Sequence, residues 1–315
     1  MSATFPIPVI GHSAQLYLPA QLHLPRSLLS QLSWPIKYSP LRTLYLFTKS
    51  DIKTILFPVT VFAYLTASST SVDRLALASF WLWLHLLQFC VSNQSMDPKE
   101  DALNKPWRPI PAGRISVPAA RVLRWALLPF CFALSVLLNV EWQGIALATA
   151  FIAHNELGLD SHWFVRNLCN AWGYAAFNAG TAAIACSVQG EALDPRTLTS
   201  FICNAFIILT TIHAQDFRDE VGDKLLGRRT LPIVWPEASR VAIVVTMVAW
   251  SIGLSIACEL KLHVAGALCA LAVFVGIRFY YERTAEADGR SYLYYNLWLA
   301  TAQVVHIPVI MAAFS

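Results

Sequence analysis

The sequence predicts an all-α fold, a polytopic membrane helical bundle of about nine transmembrane helices. Three observations carry this. Of 315 residues, 56% are hydrophobic and only 13% charged, whereas soluble domains carry about a quarter. Mean hydropathy is +0.51. The apolar runs are long and continuous rather than alternating, which excludes a membrane β-barrel. The same figures exclude a soluble two-domain enzyme and a disordered chain. A net charge of +4 also lacks the basic face that a nucleic-acid binder needs.

Taken in chain order, residues 1–40 read as an N-terminal cytosolic segment, expected to be disordered, with prolines at 6, 8, 19, 25 and 35. No basic stretch followed by a short apolar one precedes them, so no cleavable signal peptide is expected. Residues 41–315 read as one transmembrane domain. Its apolar segments run over 44–67, 76–96, 118–139, 142–158, 164–188, 198–218, 240–258, 262–282 and 292–313, each near the 17–25 residues a crossing needs. Breaks fall at Ser69-Thr70-Ser71, at the Pro/Gly/Arg stretch 105–114, at Gly190 with Pro195, and from Gly227 to Pro236. With loops numbered alternately, 20 of the 23 basic residues lie on one side, and only Arg74, Arg196 and Lys261 on the other. Lys and Arg mark the cytosolic face, so the N-terminus and the loops after the second and sixth segments are placed there. The seven cysteines stand singly in apolar stretches and read as small core hydrophobes, with no disulfide framework.

Two acidic clusters interrupt this apolar chain on the cytosolic side. Asn93, Asp97 and Asp101 close the second segment at i, i+4, i+8, so a continuous helix would show all three on one face. Asp216, Asp219 and Asp223 close the sixth at i, i+3, i+7. An acid near the membrane interior costs about 2.5–3.5 kcal/mol, and like charges at helical spacing repel. Stability alone disfavours both clusters, and a divalent cation reverses that sign. Carboxylate and amide oxygens suit Mg²⁺. A competing reading applies at Asp97-Pro98-Lys99-Glu100, which also spells an N-cap, a proline at N1 and an acid at N3. The second cluster also reads as a solvated helix end with pairs such as Glu220–Lys224.

Bases and turn residues follow each cluster: Lys105, Arg108 and Arg114 after the first, Lys224, Arg228 and Arg229 after the second. Two metal-binding faces backed by cations make a place for a diphosphate. Topology alone also accounts for such bases. Lys105 and Arg108 stay open between these readings, while Arg228 and Arg229 read as topology residues. His85 and His213, upstream of the motifs, read as helix-packing histidines.

At these residues the chain resembles the UbiA superfamily of intramembrane prenyltransferases. The family's NDxxDxxxD motif appears as Asn93-Gln94-x-x-Asp97-x-x-x-Asp101, and its KPxRPIPxG signature as Lys105-Pro106-Trp107-Arg108-Pro109-Ile110-Pro111-Ala112-Gly113. The second motif, DxxxDxxxD, appears as Gln215-x-x-x-Asp219-x-x-x-Asp223, with Asp216 beside the leading glutamine. The resemblance implies a bundle with a central cavity near the cytosolic face and a prenyl diphosphate substrate. It also implies Mg²⁺ on Asn93, Asp97, Asp101, Asp216, Asp219 and Asp223. Asp97, Asp101, Asp219 and Asp223 then carry catalysis, and Lys105, Arg108, Arg166 and Lys224 hold the diphosphate. Arg166 enters because the corresponding family region supplies a base; a residue snorkelling to the interface is the other reading.

Gln94 and Gln215 stand where the family usually has acids. Together with the NKPWRPIPAGRI stretch they resemble the fungal branch, which includes terpene cyclases. The resemblance therefore implies an Mg²⁺-dependent intramembrane terpene cyclase of terpenoid secondary metabolism that ionises farnesyl or geranylgeranyl diphosphate. The expected setting is the endoplasmic reticulum, with membrane lipid around the bundle and no nucleic acid. A prenyltransferase to an aromatic or other acceptor is the alternative. A transporter with a polar midplane site is a third reading, which leaves the two base-backed clusters unexplained. Trp81, Trp83, Trp172, Tyr174 and Phe177 are aromatic candidates for steadying a carbocation, although core packing and interfacial belts use the same residues.

Overall fold

The computed structural model describes residues 38–67, 70–186 and 195–307, all helical or connecting chain, with no strand among them. The predicted N-terminal segment, the break at Gly190 and the C-terminal end of the last apolar segment lie outside the described residues.

The first apolar segment is two helices, not one. Helix α1 (Pro40–Thr48) starts at Ser39, whose side chain accepts the Arg42 amide, and α2 (Phe57–Thr66) follows a wide turn over Ile52–Leu56. That turn carries Lys49, Asp51 and Lys53 on its flanks and ends, and it faces the interior described below. Helix α3 (Val72–Met96) is capped by Ser71 and runs without interruption to Asp97. Pro98 cannot supply an amide to the preceding turn, so the chain breaks there and restarts as α4 (Pro98–Asn104). The expected continuous face of Asn93, Asp97 and Asp101 is therefore not formed: Asn93 lies on α3, Asp97 at the break and Asp101 on α4.

Beyond the Pro-rich loop, Ser116 caps α5 (Val117–Leu137), which holds Pro129 in its interior. Helix α6 (Glu141–Phe151) widens into a π-turn at Ile152–Glu156, and α7 (Trp163–Ala185) follows a short turn at Leu159–Ser161. Helix α8 (Pro195–Thr211) passes through a tight turn at Ile212–Gln215 into α9 (Asp216–Leu225), which places the second acid cluster in the first turns of α9. A short α10 (Leu231–Val234) leads to α11 (Pro236–Ala257), α12 (Leu262–Tyr281) and α13 (Ala285–Ala302).

Among the described residues, five helices are long and apolar enough to cross a membrane: α3, α5, the run Thr197–Leu225, α11 and α12. Helix α7 is long enough, but Arg166, Asn167, Asn170 and Asn178 dilute its hydropathy. Each of the nine predicted segments contains helix among the described residues; five helices meet the length and hydropathy required of a span. The core is one large cluster built around Trp81, Leu82, Leu86, Tyr295 and Trp298. A buried ion pair, Arg240 to Asp288 at 2.7 and 2.8 Å, locks the start of α11 to α13.

Candidate functional site

One cavity of about 810 Å³, where α3, α4, α7 and α9 converge, is lined by Asn93 of the first acid cluster and by Asp219 and Asp223 of the second, whereas Asp97, Asp101 and Asp216 are not among its lining residues. Its polar end is lined by Asn93, Glu100, Lys105, Arg108, Arg166, Arg218, Asp219, Asp223 and Arg228, and its apolar walls by Ile52, Ile55, Phe89, Tyr174 and Tyr292. Helix α9 approaches α4 closely because residue 222 is glycine. A Cβ there would collide with Asn104 and meet the Glu100 Cγ at 3.0 Å.

Each acid meets a cation from another element. Arg108 Nη1 donates to Asp101 Oδ1 at 2.5 Å. Lys105 Nζ lies 3.3 Å from Asp219 Oδ2, whose other oxygen lies 3.4 Å from Arg218 Nε. Arg166 Nε donates to Asp216 Oδ1 at 3.1 Å and its Nη1 reaches Asp160 Oδ2 at 3.6 Å. Arg228 engages four carboxylates, those of Asp97 at 2.8 Å, Glu100 at 2.9 Å, and Asp160 and Asp223 at 3.0 Å.

Local backbone explains why Arg228 stands there. The Arg229 amide donates to Ser161 O at 2.7 Å, and the Trp163 amide to Arg229 O at 3.0 Å. This backbone bridge pins the loop after α9 to the loop before α7, which carries Asp160. The reading of Arg228 as a topology residue is thereby corrected: it is a buried centre of the site. Arg229, with its side chain exposed, keeps that reading.

The capping reading of Asp97 is settled in part. Asp97 stands at the N-cap of α4 with Pro98 behind it, yet its side chain makes no cap bond and pairs with Arg228 instead. Burial raises its carboxyl above the ordinary range despite the opposing Arg228 charge. Burial likewise raises Asp101 against the pull of Arg108 and Lys105. It lowers Lys105 against the pull of Asp219.

Several predicted residues fall elsewhere. Lys224 pairs with Glu220 at 2.5 Å and is more than half exposed, because one helical step past Asp223 turns it away from the cavity. Gln94 is fully buried and lines the cavity, and its Nε2 donates to Phe47 O at 2.8 Å, so it ties α3 to α1 at the cavity wall. Gln215 borders the cavity. Of the five singled-out aromatics only Tyr174 lines it, with its hydroxyl on Thr54 O at 2.9 Å. Trp81 and Phe177 are in the core, Trp172 faces outward, and Trp83 Nε1 donates to Thr48 Oγ1 at 3.3 Å. His85 and His213 are buried in helix packing, as expected.

Sequence reasoning missed Asp160, Arg218 and the α1–α2 turn. Asp160 and Arg218 had a signal, a charge at the edge of an apolar segment on the base-rich side. The turn had Lys49, Asp51 and Lys53 inside what reads as a membrane span.

Among the described residues no three His, Cys, Asp or Glu side chains are grouped to hold a metal ion. The donor set nevertheless suits a hard cation. Asp101 Oδ2 and Asp223 Oδ2 are buried and without a hydrogen-bond partner. Asn93 spends its Nδ2 on Asn155 Oδ1 at 3.3 Å, which leaves its carbonyl oxygen available. Unpaired carboxylate and amide oxygens are Mg²⁺ donors by chemistry.

Comparison with known proteins gives a consistent result. Residues 55–300 match the UbiA prenyltransferase family. The chain is 32% identical over 274 residues to the fumagillin beta-trans-bergamotene synthase of Aspergillus fumigatus, covering 87% of this chain and 93% of that one. It is 29% identical over 269 residues to a diterpene cyclase of Hericium erinaceus, covering 79% and 82%. A UbiA homologue from Archaeoglobus fulgidus, solved with GPP and Mg²⁺ bound, superposes with a TM-score of 0.56 at 16% identity over 83% of this chain and 98% of that one.

Proposed function

The chain belongs to the UbiA prenyltransferase family, and from that premise we propose that it is an Mg²⁺-dependent intramembrane terpene cyclase acting on farnesyl or geranylgeranyl diphosphate. The supporting observation is the meeting of residues from both acid motifs with the five bases Lys105, Arg108, Arg166, Arg218 and Arg228 at one cavity that also has apolar and aromatic lining residues. The likeness to a terpene synthase over nearly its whole length favours cyclisation over transfer to an acceptor.

Asn93, Asp97 and Asp101 on one side, with Asp216, Asp219 and Asp223 on the other, would hold the metal. When bound, Mg²⁺ supplies positive charge against the diphosphate oxygens. Lys105, Arg108, Arg166 and Arg228 orient the diphosphate and take up the charge that develops as the C1–O bond breaks and its electron pair leaves with oxygen. Phe89, Tyr174 and Tyr292 present aromatic faces toward the prenyl chain, where each steadies a cation by roughly 0.5–2 kcal/mol. Apolar walls exclude water, so an alkene of the same chain attacks the allylic cation, and the cyclised cation gives up a proton to the departed diphosphate, which forms the final alkene. The catalytic loops and the N-terminus face the cytosol of an endoplasmic-reticulum membrane.

The test is the full chain in phospholipid vesicles with Mg²⁺ and farnesyl or geranylgeranyl diphosphate, without acceptor, read by gas chromatography–mass spectrometry. A cyclic hydrocarbon supports the reading. Diphosphate release that appears only when an aromatic acceptor is added overturns it in favour of a transferase.

A further inference from the structure

The π-turn Ile152–Glu156 after α6 reaches α3 with each of its last three side chains. The His154 ring meets the Phe89 ring edge-on at 5.4 Å. Asn155 Oδ1 accepts from Asn93 Nδ2 at 3.3 Å. Glu156 Oε1 accepts from Ser92 Oγ at 3.0 Å, while its Oε2 accepts from Arg121 Nη2 at 3.1 Å and Arg124 Nε lies 3.5 Å from Oε1. Such turns are rare and frequently sit at functional sites. Here Glu156 fastens the turn to α3 and α5, so Asn155 stands on braced backbone, buried together with His154.

The hydrogen bonds around Asn155 fix the direction of Asn93. Asn155 Oδ1 can only accept, and it takes two bonds, one from Asn93 Nδ2 and one from His154 Nδ1 at 2.9 Å. The His154 proton therefore sits on Nδ1. The Asn93 amide has its nitrogen committed to Asn155, which turns its Oδ1 the other way. Among the described residues Asn93 Oδ1 has no hydrogen-bond partner, yet it is not a buried atom, and Asn93 lines the larger cavity. Asn155 Nδ2, by contrast, is buried and unpaired. Buried polar groups are ordinarily paired, so what asparagine contributes at position 155 is its oxygen.

We infer that Asn155 is a positioning residue for a divalent metal ion held at Asn93. The two ends of an amide have almost the same shape and opposite polarity, so an ion meets either an oxygen donor or repelling N–H groups. Hydrogen-bonded outer residues settle the orientation of metal ligands in general. With Asn155 in place, the carbonyl oxygen of Asn93, a suitable donor for a hard cation, is the end left free. Without it the amide turns at little cost. The inference rests on the reading of this cavity as a metal site, and not on whether the prenyl cation is cyclised or transferred.

The test is Mn²⁺ binding to the full chain in nanodiscs, read by electron paramagnetic resonance, with metal-free thermal unfolding as the measure of folding. N155L, which keeps bulk but has no acceptor, should bind Mn²⁺ about 10- to 100-fold more weakly than wild type, the usual effect of losing an outer partner of a metal ligand. N155A should do the same without adding bulk, and it carries the test if N155L fails to fold. In the N93A background N155A should weaken binding no further, because the side chain it positions is gone. A merely structural role would weaken binding alike in both backgrounds, and additivity in that cycle overturns the inference. Mn²⁺ binding in wild type that N155A leaves within about twofold overturns the inference alone. Absence of Mn²⁺ binding in wild type overturns it together with the metal reading of the cavity.

Discussion

Arg228 Nη2 donates to Asp97 Oδ2 at 2.8 Å across 131 residues of chain, while its Nη1 donates to Asp223 Oδ1 at 3.0 Å. One guanidinium therefore ties the first acid motif to the second. With Glu100 and Asp160 also on it, Arg228 neutralises a cluster of acids that would otherwise repel across the mouth of the cavity.

Removing one partner of a buried ion pair costs about 3–5 kcal/mol, since the remaining charges stay buried and uncompensated. R228A should therefore lower the unfolding midpoint sharply in the absence of divalent cation. Added Mg²⁺ should recover more of that loss in R228A than it adds to wild type, because the freed carboxylates then have only the metal to pair with. Thermal unfolding of both proteins across an Mg²⁺ titration checks this. Equal metal responses would show that Arg228 does not share the acids with the ion.

Gly222 sets the distance between the motif-bearing helices α4 and α9. Valine at this position must push aside Asn104 and the Glu100 Cγ at 3.0 Å. Overpacking of this kind costs about 1–3 kcal/mol, and the displacement should also separate Asp101 from Asp219. G222V should thus lose stability and most of its turnover together. G253A, whose added Cβ meets nothing within 4 Å, serves as the control and should change neither beyond ordinary scatter.

The bundle was legible in the sequence because apolar run length reports directly on bilayer thickness. The acid clusters were legible because charge in such runs has no structural benefit. Arg228 was not. Its burial depends on the Arg229–Ser161 backbone bridge, a contact between segments far apart in sequence that no periodicity encodes. Lys224 misled for a local reason: adjacency to Asp223 in sequence means a 100° rotation on a helix. Gln94 read as a weakened motif acid, whereas its amide bonds the α1 backbone. That role needed the position of α1, which residue patterning does not supply.

Asp101 should make stability depend on pH in a defined direction. Burial raises its carboxyl above the ordinary value, beyond the opposing pull of Arg108 and Lys105. A group raised in the folded state gives stability that is fully present below its unfolded value, about 3.9 for Asp, and lost as pH rises through the folded value. D101N is fixed in the neutral form. Without metal, wild type should lose stability relative to D101N as pH climbs from about 4 through that raised value. Saturating Mg²⁺, which binds the ionised carboxylate, should oppose this trend. Denaturant unfolding of the two proteins at stepped pH measures it, and a flat difference without metal would remove Asp101 from the pH response.

Lys105 and Lys224 follow the two motifs in sequence but should behave oppositely when replaced. Lys105 borders the cavity, partly buried, with its Nζ 3.3 Å from Asp219 Oδ2. Lys224 is on the outer face of α9, and among the described residues its ion-pair partner is Glu220. A charge-assisted hydrogen bond from a buried lysine to a diphosphate oxygen contributes about 1.5–3 kcal/mol, so K105A should weaken binding of a non-hydrolysable prenyl diphosphate analogue roughly 10- to 100-fold. An exposed i,i+4 pair contributes about 0.3–0.5 kcal/mol, and K224A should leave that affinity within about twofold of wild type. Isothermal titration in detergent with Mg²⁺ present reads both values. K105R offers a further distinction: if Lys105 acts only through its charge on Asp219, the arginine restores stability as well as analogue affinity. If its compact ammonium also meets the diphosphate, K105R regains stability while analogue binding stays impaired, since the bulkier guanidinium presents a different donor geometry.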